Sequence, residues 1–310
     1  MHIYLRLMIY LILSILCSTA IVLIFRMFSR YDINNLPAIT ANYVVCVLCA
    51  WITLGSFPFS LRSVNEVWFP YALVLGGVLI GGFTLIAATV RLFSVTVGAV
   101  MQKMSLIITV VYTILVYGES VSALKLMGIL AACGAIILIN IPAKEESPTI
   151  GTIRKPWHLF LIPIGAWVLN AVLEILLFRV ERLTGENADL GFLGTFFLTA
   201  GILGALLLLF YALMYRRNSS SALRQKTTVR GRDLIAGGIL GVVNFGSLYF
   251  LLRVIGLGWE GSVVFPVNNV AIIALSAAFA VWFFRERLNP ANWWGLALAV
   301  AAIGLIALTR

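Results

Sequence analysis

The segment VGAVMQKMSLIITVVYTILVYGES, residues 97–120, is an almost unbroken apolar run that holds Lys103 with Gln102 beside it. An ammonium group in such a run raises the free energy of membrane insertion by roughly 3 kcal/mol, and ionisable residues in this setting usually face an interior cavity or an ion path. Asn268 and Asn269 interrupt a second apolar run, and Asn170 and Asn244 interrupt two more. One ammonium and several amides can hold the anionic or polar group of a small molecule. The same groups can instead tie helices together, and a lysine can snorkel its head group toward an interface. Glu174 is the other ionisable candidate. It lies five residues before Arg179, which at about 1.5 Å per residue places it near a membrane interface. It reads either as a carboxylate that couples transport to protons or as a helix-end partner of Arg179 or Arg182.

Enzymatic chemistry has little to draw on. The histidines are His2 and His158, and Asp32, Asp189 and Asp233 all fall in polar breaks or at the ends of apolar runs. No buried Ser/His/Asp set, metal-ligand cluster or phosphate-cradling glycine loop is present in the sequence, so no catalytic residue, metal or cofactor is expected. Cys46 and Cys49 have redox or metal-site spacing, but no second ligand pair accompanies them. With Cys17 and Cys133 they lie inside apolar runs and read as small packing residues.

The elements that must position these residues are membrane helices. The 310 residues are 62% hydrophobic and 11% charged with a mean hydropathy of +1.04, against about 45–50% and 25% for soluble domains. Ten charge-poor runs of membrane-spanning length follow one another, at 5–26, 36–55, 67–91, 96–117, 122–141, 157–179, 190–215, 233–254, 261–284 and 290–309. The first resembles a signal peptide with Ser18-Thr19-Ala20 as a cleavage site, but its apolar run continues to Phe25, so it is read as a retained span. The net charge of +10 resides in the breaks, which makes it a topology signal rather than a nucleic-acid footprint. The expected partners are a small-molecule substrate and membrane lipid, with no nucleic acid.

The chain also repeats itself. LGGVLIGGF (75–83) aligns with LGVVNFGSL (240–248), and ESVSALKLMGILAACGAIILI (119–139) aligns with ERLNPANWWGLALAVAAIGLI (286–306). The second alignment pairs Glu119 with Glu286 and Gly128 with Gly295, and its offset of 167 residues, carried upstream, makes Gln102 and Asn269 equivalent positions. Two five-span halves, 1–141 and 157–310, are expected around a polar linker at 142–156. Because five is odd, the second half enters the membrane with opposite polarity, which makes the fold an all-α integral membrane protein of ten transmembrane helices in two inverted repeats. Glu119 and Glu286 read as carboxylates in the first turns of their own helices, Asn289-Pro290 as a helix start, and Gly76, Gly77, Gly81, Gly82, Gly237, Gly238 and Gly241 as close helix contacts.

The motifs YGESVSALKLMGILAACGAIILI and FRERLNPANWWGLALAVAAIGLI, each with a Glu followed nine residues later by Gly, resemble those of the EamA-like branch of the drug/metabolite transporter superfamily. Many members are similar in carrying a Pro in the span before the Glu of both halves. Here the second half has it at Pro266, while Ala99 stands at the matching position of the first. The resemblance implies a transporter, with amino acids, nucleotide-type metabolites, sugars and their derivatives as admissible substrates. Small cation exporters of the same superfamily resemble one another in using a Glu in the first span for proton coupling. The first span here lacks an acid, and the matching sixth span carries Glu174.

An even number of spans places both termini on one side. Breaks after the odd-numbered spans, with Arg26 and Arg91 at the ends of those spans, hold fourteen Lys/Arg, six of them in RRNSSSALRQKTTVRGR (216–232), against seven at the other breaks, span ends and termini. The positive-inside rule then makes those breaks cytoplasmic and the termini external, whereas better-known members of the resembled family are similar in having cytoplasmic termini. The charge asymmetry is followed here, in a multi-pass protein of the bacterial inner membrane. Lys103 and Asn269 each lie about eight residues into their spans, roughly 12 Å deep against a half-thickness of about 15 Å. Gln102, Ser105, Thr109 and Tyr112 recur at helical spacing and form a polar face on the fourth span.

The sequence therefore predicts a secondary transporter of a small polar or anionic metabolite, since its deep cation is Lys103 and no acid is read as deep enough to hold a cationic substrate. Lys103, Gln102, Asn268, Asn269, Asn244 and Asn170 are the expected binding residues and Glu174 the coupling candidate. The alternatives are a proton-coupled cation or multidrug exporter and, in a different class, a non-transporting membrane scaffold or sensor.

Overall fold

A computed structural model describes residues 2–93, 95–141, 157–184, 190–218, 228–285 and 288–308. The 142–156 linker, Glu286 and most of the basic segment after residue 218 lie outside the described residues. The helices are α1 (His2–Arg30), α2 (Asn35–Leu54), α3 (Phe69–Leu92), α4 (Val95–Met104), α5 (Leu106–Tyr117), α6 (Ala123–Ile139), α7 (Leu161–Thr184), α8 (Leu190–Asn218), α9 (Gly231–Gly256), α10 (Gly261–Phe284) and α11 (Pro290–Ala307). Among the described residues, nine segments are helical, apolar and long enough to cross a membrane, with α4 and α5 together forming one of them. The 17-residue α6 is the tenth apolar helix, about 25 Å long at 1.5 Å per residue, near the lower limit for a span. The protein is an all-α, multi-pass membrane protein, with the ten apolar segments where the hydropathy of the sequence puts them.

Two compact units divide the chain, and each draws on both sequence halves. One comprises Met1–Ile80 and Leu176–Gly258, the other Gly81–Ile175 and Trp259–Arg310, so that α3 and α7 are shared between them.

In the first unit α9 packs along α1 and α2, and α2 also packs on α8. Small residues permit this approach. A Cβ at Gly241 of α9 would lie 2.6 Å from the Asn42 carbonyl of α2, and one at Gly237 would lie closer still to the Ala38 carbonyl. Gly76 of α3 is held against Thr199 of α8. Gly77 has open space within 4 Å, so the reading of every glycine here as a close contact is corrected for that residue. At the α1–α9 end, Asp233 bonds the backbone N–H groups of Asn34 and Arg230 at 2.9 and 3.1 Å, and the Asn34 amide donates to the Thr228 carbonyl at 3.0 Å. The chain after the first span and the chain before the eighth therefore meet, as alternation across a membrane requires.

In the second unit α6 and α11 form the most extensive contact, antiparallel and reciprocal. A Cβ at Gly128 would lie 2.6 Å from Ile306 Cγ1, and one at Gly295 would lie 2.7 Å from Ile139 Cγ1. Gly128 and Ile139 stand in the first half where Gly295 and Ile306 stand in the second, both offset by 167 residues. Each half thus sets a glycine against an isoleucine of the other, at positions offset by the same 167 residues. Gly82, also in this unit, has open space within 4 Å. Asn289 and Asn292 form a capping box with Pro290 in the first turn of α11, as the sequence signals. The Asn292 amide further donates to the carbonyls of Leu138, Ile139 and Ile141 at the end of α6.

Glu119 departs from expectation. Gly118, at φ 63°, ends α5, and three residues, Ser120 to Ser122, intervene before α6 begins at Ala123 under a Ser122 cap. Glu119 therefore does not sit in the first turn of its own helix. Its two carboxylate oxygens instead accept from the N–H groups of Gly261 and Ser262, at 2.6 and 2.8 Å, and cap α10. The same preference of a carboxylate for free helix N–H groups acts, on a different helix.

Candidate functional site

Span four is a broken helix, α4 ending at Met104 and α5 starting at Leu106. A break inside hydrocarbon leaves backbone groups that other side chains must satisfy. The Gln102 carbonyl accepts from Ser105 Oγ at 2.8 Å and from Asn170 Nδ2 of α7, also at 2.8 Å. Asn170 Nδ2 also lies 2.6 Å from Ser105 Oγ. The polar face read on the fourth span is thus used at Ser105 and Thr109, both fully buried. Tyr112 instead packs edge-on against Tyr117.

One step along α4, the Lys103 ammonium donates to Asn269 Oδ1 of α10 at 3.1 Å. The other end of that amide, Nδ2, donates to Glu174 Oε1 of α7 at 3.0 Å. Thr109 of α5 donates to the remaining oxygen, Oε2, at 2.7 Å. An ammonium and a carboxylate are therefore bridged by a single asparagine, which uses its acceptor toward one and its donor toward the other. Three spans contribute, one from the first half of the sequence and two from the second, all within the second compact unit.

Six of the seven residues expected to act belong to this unit. Lys103, Asn269, Glu174 and Asn170 are linked as described. Gln102 takes part through its backbone carbonyl rather than its side chain. Asn268 is buried, 6% exposed, next to Asn269. Asn244 belongs to the first unit, where its amide donates to Asn42 Oδ1 at 3.2 Å and approaches Cys46 Sγ at 3.8 Å, while Cys46 donates to the Gly241 carbonyl at 3.2 Å.

The setting of Glu174 within its helix differs from the expectation of a helix-end carboxylate. Counting back from Arg179 treats Arg179 as the membrane boundary, but α7 continues to Thr184, so Glu174 is the fourteenth of 24 helical residues and 8% exposed. A buried acid is therefore available, against the expectation that there is none.

A second buried charge went unremarked in the sequence. Lys125, 1% exposed in the first turns of α6, forms an ion pair with Glu260 and donates to the Ser120 carbonyl at 2.7 Å and to Ser262 Oγ at 3.1 Å. Burial pushes the Glu260 carboxyl up, but the hydrogen bond and charge of Lys125, aided by Ser120, outweigh it and hold the group below its ordinary value. Together with Glu119 this ties the 118–122 turn to the start of α10, the helix that carries Asn269. Two acids and a lysine clustered at helix starts are the available signal, but nothing local pairs residues some 140 apart.

The fold and site define a multi-pass helical membrane protein with a buried ammonium–amide–carboxylate network. Residues 8–141 match the model of the EamA-like transporter family. An uncharacterized protein of Haemophilus influenzae is 24% identical over 299 residues, covering 94% of this chain and 95% of that protein. A solved crystal structure superposes with a TM-score of 0.71 at 14% identity over 97% of this chain and 96% of that one, which shows a shared fold.

Proposed function

We propose that this protein is a secondary transporter of a small polar or anionic metabolite in the bacterial inner membrane. It works by alternating access around the Lys103–Asn269–Glu174 network, with residues 1–141 and 157–310 as inverted five-span repeats. The observation that carries the reading is that Lys103, on a broken span, is held by a neutral amide rather than directly by a carboxylate. A substrate anion can take the place of Asn269 Oδ1 without a buried ion pair having to be broken. Asn170, Asn268 and Gln102 flank that position in the sequence or in the hydrogen-bond chain, and Asn244 is assigned to α2–α9 packing. The reciprocal Gly128 and Gly295 contacts support the repeat.

Proton-coupled export of a cation is the second reading, favoured by the burial of Glu174 in mid-helix. Reconstitution separates the two. Ligands found by thermal shift of the purified protein against a metabolite library, where binding to the folded state raises stability, are tested for uptake into proteoliposomes. Anion or metabolite transport requires Lys103 and is lost in Lys103→Met, while cation export survives that change and is lost in Glu174→Gln. If Lys103→Met keeps wild-type affinity and rate for a transported anion, the site assignment is wrong. A scaffold or sensor shows no uptake of any ligand.

A further inference from the structure

We infer that the end of α1 and the start of α9 form a binding site for one anionic glycerophospholipid. The site lies within the first compact unit and is independent of the transport network. A cavity of about 300 Å³ opens there, lined by Met27, Tyr31, Ile33, Ala236 and Ile239 with Arg232 at its polar end. The lining is apolar and outward-facing: Met27 is 42% exposed, and Tyr31 and Ile239 are each 56% exposed. An acyl chain matches a groove of this composition at the end of membrane helices. Tyr31 stands where tyrosines gather at membrane–water interfaces.

The charge at the mouth selects the head group. Arg230 and Arg232 both donate to the same oxygen of Asp32, at 3.0 and 2.8 Å, and Arg232 also donates to the Asp32 carbonyl at 2.9 Å. The two guanidiniums, with five donors each, make three bonds to Asp32, which leaves further N–H groups for a ligand, and Asp233 is engaged by backbone N–H groups, so that four arginines, Arg26, Arg30, Arg230 and Arg232, stand against two acids at this end. Both arginine side chains are more than two-fifths exposed. Arg26 and Arg30, exposed on the last turns of α1, add to the positive charge at that end. A lipid phosphate can bridge the guanidiniums while its chain occupies the groove. A zwitterionic lipid offers the chain but not the net charge, and a soluble anion offers the charge but not the chain.

The test is native mass spectrometry of the full-length protein, delipidated in detergent and titrated with phosphatidylglycerol or with phosphatidylcholine of the same chains. One phosphatidylglycerol is expected to bind in preference to phosphatidylcholine. At about 1 kcal/mol per basic residue near an anionic surface, affinity falls about fivefold for each arginine removed and about thirtyfold in the Arg230→Gln/Arg232→Gln double variant. Ala236→Phe, which fills the groove, weakens both lipids. Asp32→Asn guards against a merely structural effect. It breaks the same tie but frees the guanidiniums, so it raises phosphatidylglycerol affinity if the inference holds and lowers it if the tie only keeps the loop folded. Equal binding of the two lipids by the wild type, or an unchanged preference in the double variant, overturns the assignment.

Discussion

Asn269→Leu removes the bridge between Lys103 and Glu174 with little change in side-chain volume. Two hydrogen bonds are lost, one from Lys103 Nζ at 3.1 Å and one to Glu174 Oε1 at 3.0 Å, while the Thr109 bond to Glu174 Oε2 at 2.7 Å remains. Hydrogen bonds to charged groups in soluble proteins contribute about 1.5–3 kcal/mol each, which would give about 3–6 kcal/mol. Interhelical bonds in membranes average only about 0.6 kcal/mol, with a maximum near 1.7, because the unfolded state in lipid also finds partners. The membrane scale applies to a site built from three spans, so the expected loss is about 1–3 kcal/mol, read as equilibrium unfolding of the purified protein in mixed micelles. Gln102→Leu is the internal comparison. That residue contributes its carbonyl rather than its amide, so its replacement should change stability by less than about 0.5 kcal/mol, the range of substitutions away from specific contacts. If Asn269→Leu is as stable as wild type, or if Gln102→Leu is equally damaging, the network is not assembled as described.

Three shorter predictions concern packing, pH and orientation. Gly128→Ala and Gly295→Ala should destabilise by similar amounts, about 1–3 kcal/mol each, because their would-be Cβ atoms meet equivalent isoleucines at 2.6 and 2.7 Å; Gly304→Ala, with open space around it, should be neutral or stabilising by up to about 1 kcal/mol in the same unfolding assay. The Glu260 carboxyl is held below its ordinary value of 4.5, so its stabilisation is present above that value and is lost as pH falls through the lower folded one; the stability gap between wild type and Lys125→Met should therefore narrow as pH is taken from about 6 to about 3. In a background with Cys17, Cys46, Cys49 and Cys133 replaced, a single cysteine introduced by Asp32→Cys should resist an impermeant thiol reagent in intact cells, since it follows an odd-numbered span; ready labelling would place the termini in the cytoplasm.

The spans were legible because hydrocarbon imposes a length and polarity on each crossing segment that shows in the local sequence. The close helix contacts at Gly128 and Gly295 were legible, because such an approach demands the smallest residue. The burial of Glu174 was not legible, because Arg179 reads as the end of its span whereas α7 runs on to Thr184 and the carboxylate is covered by side chains from other helices. Partners over long sequence separations were not legible. Glu119 obeys the rule that carboxylates seek helix N-termini, yet whether it caps its own helix or α10 depends on the turn set by Gly118. Asn244 and Asn269 are alike as lone amides in apolar runs. Their different neighbours, Asn42 and Cys46 for one, Lys103 and Glu174 for the other, are fixed by tertiary packing.

That difference bears on the opening oddity of a lysine in a lipid-spanning run. On the transport reading, a site must release its internal partners when substrate arrives and recover them when it leaves. A direct buried ion pair suits this poorly, since removing one partner costs about 3–5 kcal/mol. The Lys125–Glu260 pair is direct, buried on the lysine side and reinforced by Ser120 and Ser262, and it ties down the start of α10. Lys103 is held differently. Its partner is the neutral Asn269, whose hydrogen bond is worth no more than that from a substrate carboxylate or phosphate, so the exchange is close to balanced and its direction follows substrate concentration. Asn269 also connects the exchange to Glu174: once Oδ1 is released, only Nδ2 remains bound, and the amide is free to turn. The ammonium then meets the insertion cost of its position by having a partner at every stage, Asn269 when the site is empty and the substrate when it is filled.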